Sequence, residues 1–350
     1  MGDSVREDPG LNENVIAAAL AAGYGLRAES IVSWPVGFDF QAAIYRIVAS
    51  DGEEYFLKVH FGPFDAASLR VPRAAIDRGI DRVLAPLRAL TGDLSAPLDA
   101  PAGSAMALYP FVPGRNAAAA GLSGEQWRTF GATLRAIHDS DLAEHFRGLL
   151  PAEDFALPAA IAVRRVLDHA RTAGLVVDSP AAAQFAGFLR GAEKRTRAML
   201  AHVEDLGRAL QMRRFERVLC HGDIHAANIL VGDDGQIRLI DWDGPLLAPR
   251  ERDLLFTIGS VIARRIEPRE ETRFFAGYGP VVVDPEALIY YRYERIVQDL
   301  GEIGYSVLRD PNRSDAARAD EAQLAMGFFA PGGEIDRAEI VDLARVPLAT

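Results

Sequence analysis

Residues 218–243, Val-Leu-Cys-His-Gly-Asp-Ile-His-Ala-Ala-Asn-Ile-Leu-Val-Gly-Asp-Asp-Gly-Gln-Ile-Arg-Leu-Ile-Asp-Trp-Asp, constrain this chain more than any other stretch. Ile229–Val231 and Ile237–Ile240 are short apolar runs around Asp233-Asp234-Gly235, a strong hairpin signal. Folding that hairpin returns Asp241 to the end where Asn228 sits. Paired positions on adjacent strands lie about 5 Å apart, so an amide oxygen and a carboxylate converge there. Such a pair is a fitting nest for a hard divalent cation. Asp223 lies five residues before Asn228, on a polar, irregular loop that can aim at the same spot. Taken singly, each of the three is an ordinary turn residue. Polar groups between apolar strands cost free energy unless they are used, and the joint spacing favours a shared use. A competing reading makes His221, Asp223 and His225 alternating ligands of a hydrolytic zinc site. The other histidines, His60, His138, His145, His169 and His202, supply no second cluster for it.

The remainder sets the architecture. Asn12–Ala22 reads as a helix stopped by Gly23. The β-rich runs Ser30–Val36, Phe40–Ala49 and Glu54–His60 follow, with Asp51-Gly52 as a hairpin turn. Asp65–Arg78 is expected as a helix ended by Gly79, and Val83–Leu90 and Ala105–Val112 are apolar runs. Helical patterns then dominate: Ser123 with Gln126 at the capping-box position, Asp154–Arg171, and Ser179–Met212 with Pro180 at the first helical position. Strands first and helices later describe an α+β chain with two lobes, not alternating βαβ units. With 350 residues, 38 Lys and Arg against 49 Asp and Glu, and a formal charge of −11, the chain suits neither nucleic acid nor an anionic membrane surface. One cysteine, Cys220, rules out an internal disulfide and reads as a small buried residue. The acidic start and the shortness of the apolar stretch Val15–Leu26 make the cytoplasm the expected location.

His221-Gly-Asp-x-His-x-x-Asn228 followed by Ile240-Asp-Trp-Asp243 resembles the catalytic segment of the aminoglycoside phosphotransferase family, relatives of the protein kinases. Leu247–Phe256 and Asp284–Asp299 are most similar to the spectinomycin phosphotransferase branch. The resemblance implies a bilobal protein-kinase-like fold: a sheet-rich lobe over 1–108, a hinge at 109–114 and a mainly helical lobe over 115–350. It implies that Asp223 orients the substrate hydroxyl and accepts its proton. Asn228 and Asp241 would hold Mg2+ against the phosphates of ATP, or of GTP. Asp243 would assist or hold the loop. Asp253, on the next helix, would accept backbone N–H bonds from the loop, and His221 would stabilise it.

In the first lobe, Lys58 stands between apolar strand neighbours, and the resemblance sets it on the α- and β-phosphates. Across the implied hinge, Pro110 and Pro113 have no N–H, so adenine is bonded through Phe111 or Val112, with Tyr109 and Phe111 able to flank the base. Two departures stand out. Instead of a G-x-G-x-x-G loop, Trp34–Gln41 offers a single glycine, Gly37. No glutamate occurs between Glu54 and Glu125, so the usual lysine–glutamate pair is missing, and Asp77 is the available substitute.

The helix from Asp284 has Ile289, Tyr293, Ile296, Leu300, Ile303 and Val307 as a buried face. Its other face carries Tyr291, Glu294, Gln298 and Glu302. That face is either solvated or an acidic wall for an amino-sugar or aminocyclitol, with Glu153 and Asp154 as further candidates. The expectation is thus transfer of the ATP γ-phosphate to a hydroxyl of a small cationic acceptor, an antibiotic first. A metabolite kinase for choline, homoserine or a sugar, and a non-catalytic pseudokinase, are the alternatives.

Overall fold

The computed structural model describes residues 10–34, 42–62, 64–98, 103–172, 179–311 and 313–347. Two compact units emerge: Met1–Pro151 with His221–Leu246 and Ala276–Tyr278, and Ala152–Cys220 with Leu247–Phe275 and Gly279–Thr350. These units differ from a division at 109–114. The segment carrying Asp223 to Asp243 joins the first unit because its hairpin pairs there with strand 114–116.

In the first unit, α1 (Glu13–Tyr24) is followed by β1 (Ala28–Ser33), β2 (Ala42–Ala49) and β3 (Glu54–His60). Asn12 caps α1 by accepting the Asn14 N–H. The helix runs past Gly23 and stops at Gly25, which takes φ +66°. Gly23 serves packing instead: a Cβ there would stand 2.6 Å from the Ala96 Cβ. After α2 (Ala67–Asp77) come β4 (Ala96–Leu98) and β5 (Ser104–Pro110), completing an antiparallel sheet ordered β1-β2-β3-β5-β4. Ile16, Leu20, Ile47, Leu57, Met106 and Leu108 fill its core. Lys58 is in register with Ile44 on one side and Ala107 on the other. The apolar run 83–90 forms no named strand. It is a connector, bonded through the Leu84 N–H to the Leu239 carbonyl and through the Leu87 N–H to the Leu108 carbonyl.

β6 (Gly114–Asn116) and α3 (Ala117–Ala120) lead to α4 (Gly124–His138) and α5 (Leu142–His145). The Ser123/Gln126 capping box of α4 is formed in both directions.

In the second unit, α6 (Ala159–Thr172) starts later than Asp154, because Phe155 at φ +54° and Pro158 interrupt the helical path. α7 (Pro180–Gln211) begins on the expected Ser179 cap. β7 (Val218–Cys220) leads back to the first unit's hairpin, β8 (Ile229–Gly232) and β9 (Ile237–Leu239), which pair in the order β6-β8-β9. β10 (Leu246–Ala248) pairs with β7, and Cys220 is buried. Then come α8 (Glu251–Leu254), α9 (Pro268–Tyr278), α10 (Pro285–Arg309), α11 (Asp315–Gly327) and α12 (Glu334–Arg337). α10 packs on α6, α7 and α11 together, so its buried arc is wider than one stripe. Ile289 and Ile303 are half-buried, whereas Leu288, Tyr290 and Tyr291 are fully buried.

Candidate active site

The site is built where β7 ends and the chain makes an irregular loop before the β8–β9 hairpin. His221-Gly222-Asp223 opens it. Gly222 sits at φ +85°, and a Cβ there would lie 2.6 Å from the Gly244 carbonyl oxygen, so only glycine lets the two segments meet. His221 is fully buried. Its Nδ1 accepts the Asp223 N–H at 3.3 Å, which makes Nε2 the protonated nitrogen, 2.9 Å from the Ile240 carbonyl. Its ring packs on Trp242 at 4.5 Å between centroids. Both nitrogens thus face backbone groups and tie the loop to the hairpin exit, which overturns the zinc reading.

A short 3-10 turn, Ala226–Asn228, follows. Asn228 donates its side-chain amide to the Asp223 carbonyl at 2.8 Å, with the Asp223 carboxylate at 3.4 Å. The hairpin closes through the Ile240 N–H to the Asn228 carbonyl, 3.0 Å, delivering Asp241 beside Asn228. Asp241 takes φ +64°, in the left-handed region that few side-chain-bearing residues occupy. Asp241 is exposed as a residue, while protein groups crowd its carboxyl end. Burial pushes that carboxyl up to about 6, Asp243 and Asp223 add to the shift, and Lys58 opposes it.

Lys58 reaches across from β3, its Nζ 2.7 Å from the Asp243 carboxylate. Tyr109 sits near the same acids, and burial pushes its phenol well above the ordinary range. Phe111 packs on Trp34 at 5.3 Å with the Arg46 guanidinium 4.7 Å from its ring. Its backbone N–H is bonded to the Glu54 carbonyl at 3.1 Å, so it extends the sheet and is not free for a ligand. Val112 is half-buried on the following segment. Gly37 lies outside the described residues. Asp77 does not replace the missing glutamate: Arg73 and Arg88 engage its carboxylate.

The family model described as the phosphotransferase enzyme family matches residues 35–291. The chain belongs to that family. Among solved structures, spectinomycin phosphotransferase in complex with ADP and spectinomycin superposes with a TM-score of 0.82 at 29% identity, covering 94% of this chain and 98% of that one. The amicoumacin kinase complexed with AMP-PNP, Ca2+ and its substrate gives 0.60 at 15% identity over 97% and 96%, a likeness of fold. A curated relative, Protein StrN of Streptomyces griseus, is 30% identical over 183 residues, 51% of this chain; the match spans 54% of that relative. The fold is therefore kinase-like, with an antiparallel sheet in the N-terminal region and helices towards the C-terminus. No described helix is long and apolar enough to cross a membrane.

In the second unit the expected acceptor face is covered unevenly. Tyr291 is 0% exposed and is core, not an open wall, because α10 is covered on several sides. Glu294 is paired with Arg252, and both side chains are largely buried. Burial pushes the Glu294 carboxyl up to about 7, with Arg252 opposing. Gln298 donates to Glu302 at 3.2 Å on the open part of the helix. The Asp154 carboxylate accepts its own loop's Ala156 N–H, and Glu153 is buried and accepts the Phe155 N–H. Asp253, on α8, is fully buried.

Two features escaped the sequence reading. One is the Lys58–Asp243 pair. The other is His225: its Nδ1 accepts the Ala227 N–H, so its Nε2 carries the proton and faces the Asp223 carboxylate at 3.4 Å. The His-x-Asp-x-His spacing was the available signal for the second.

Proposed function

We propose that this chain transfers the γ-phosphoryl group of ATP to a hydroxyl of a small cationic acceptor, with spectinomycin or an aminoglycoside-like antibiotic as the first candidate. The observation that carries this reading is the hairpin that returns Asp241 beside Asn228, whose amide meets Asp223, with Lys58 paired to Asp243 two residues on. Near-full-length likeness to spectinomycin phosphotransferase supports the acceptor class. Dependence on ATP goes with a cytoplasmic reaction.

Asp223 is the base. Its carboxylate is oriented by Asn228 and His225 and keeps an open face, its side chain being 37% exposed. It accepts the acceptor's hydroxyl proton while that oxygen bonds to the γ-phosphorus and the bond to the ADP oxygen breaks. The products are a phosphomonoester and ADP. Asn228 turns its NH2 toward Asp223, leaving its amide oxygen and the Asp241 carboxylate as hard donors that fit a divalent cation such as Mg2+. When bound, that ion supplies charge neutralisation for the phosphates. Lys58 adds a positive charge on the same side.

Strand alternation supports a purine seat on this segment. The Phe111 N–H points to β3, so the Pro110 carbonyl and the Val112 N–H face the other edge. One acceptor and one donor two residues apart suit the amino group and ring nitrogen of adenine. A guanine would set its carbonyl against the Pro110 carbonyl.

Incubation with ATP, Mg2+ and a panel of aminocyclitols, aminoglycosides, choline, homoserine and sugars, read by mass spectrometry, tests the proposal. Phosphorylation of a cationic antibiotic is expected. Asp223→Asn is expected to cut turnover by about 10²–10⁴ while retaining nucleotide binding. Normal turnover in that variant would overturn the role of Asp223, and phosphorylation of none of the panel would overturn the acceptor class.

A further inference from the structure

We propose that Asp243 is the positioning residue for Lys58, doing from the metal-side loop what a helix glutamate does in relatives that have one. The inference rests on the reading of Lys58 as the phosphate-facing lysine. Its observations are geometric. The ammonium lies 2.7 Å from Asp243 with only 12% of the lysine side chain exposed, in a sheet position flanked by Ile44 and Ala107. A cation on so apolar a floor is held in one place only if an acid fixes it. The helix α2 is not the source. It has no glutamate, Asp77 is engaged by Arg73 and Arg88, and the end of the helix is anchored by the Arg78–Asp141 pair.

Asp243 is suited to the task because it is two residues from Asp241. It ties the lysine of β3 to the short segment that carries the proposed metal donor. An ammonium has three donors. Asp243, 47% exposed, does not wall the lysine off. The pairing need not break when nucleotide binds.

A loop-holding role or a merely repulsive acid predicts different results. If Asp243 only repels phosphates, its neutralisation tightens nucleotide binding. If it only props the loop, its loss is independent of Lys58. The experiment is a double-mutant cycle on the full chain, reading affinity for AMP-PNP with Mg2+ by calorimetry. Asp243→Asn and Lys58→Met are each expected to weaken binding about tenfold, the scale of one charge-assisted hydrogen bond. The double variant is expected to be no weaker than Lys58→Met by more than about twofold, since removing either partner already ends the interaction. Asp243→Glu is expected to regain most of the loss, and melting temperatures to stay within about 3 °C. If Asp243→Asn lowers the melting temperature sharply, the same cycle with Asp243→Ser decides. Unchanged or tighter binding in Asp243→Asn, or losses that add in the double variant, overturns the proposal alone. Failure of the unaltered chain to bind AMP-PNP with Mg2+ overturns the nucleotide reading and this inference with it.

Discussion

Each unit holds a lysine or arginine against an acid, and the two pairs are built to opposite ends. Lys58–Asp243 joins a shielded cation to an acid that is 47% exposed. Arg252–Glu294 seals both partners, at 13% and 17% exposure, with Tyr291 fully buried beneath the guanidinium. In the open pair water competes for the exposed acid while the cation stays shielded, so the pair is sealed on one side only. A sealed pair has already lost its water, and its partners depend on each other. The same chemistry is thus half-open in one unit and closed from water in the other.

Breaking the clamp is the largest test. Arg252→Met leaves the Glu294 carboxylate buried and unpaired, and is expected to lower unfolding free energy by about 3–5 kcal/mol at pH 8. The loss should shrink at pH 5, where Glu294 takes up a proton; denaturant titrations at both pH values check this. A loss below about 1 kcal/mol would erase the contrast between the pairs.

A smaller effect is the pH slope. Glu294 titrates at about 7 in the fold against an ordinary 4.5. Between those values the folded chain holds a proton that the unfolded chain has released. Its contribution to stability is therefore full below 4.5 and is lost as pH rises through about 7. Glu294→Gln should flatten the decline in melting temperature between pH 5 and 8; an unaltered slope would assign the titration to other groups.

The smallest expected change is at the open pair. Asp243→Asn should alter unfolding free energy by no more than about 1 kcal/mol, measured by the same titrations. A larger loss would make the open pair a second clamp.

Much of this was legible because it is local. The cap at Ser123, the cap at Ser179 and the β8–β9 hairpin are each fixed by residues within a few positions of one another, and the hairpin alone brings Asp241 back to Asn228. What stayed hidden depended on distant chain. Lys58 and Asp243 are 185 residues apart, so no spacing rule connects them. Tyr291 was misplaced because a helical wheel assumes one covered side, whereas α10 meets several neighbours. That the Phe111 N–H is already taken needed the Glu54 carbonyl across the sheet. Gly23 and Gly25 both look like helix stops, and only the nearness of Ala96 tells that the first is a packing notch.

The contact at Gly222 carries a consequence for how such a chain can diversify. With the backbone of Gly244 pressed against it, the spacing between Asp223 and the acids beyond the hairpin is set by main chain, where side-chain substitution has little purchase. Change elsewhere in the chain can therefore accumulate while the distance between these two turns stays constant.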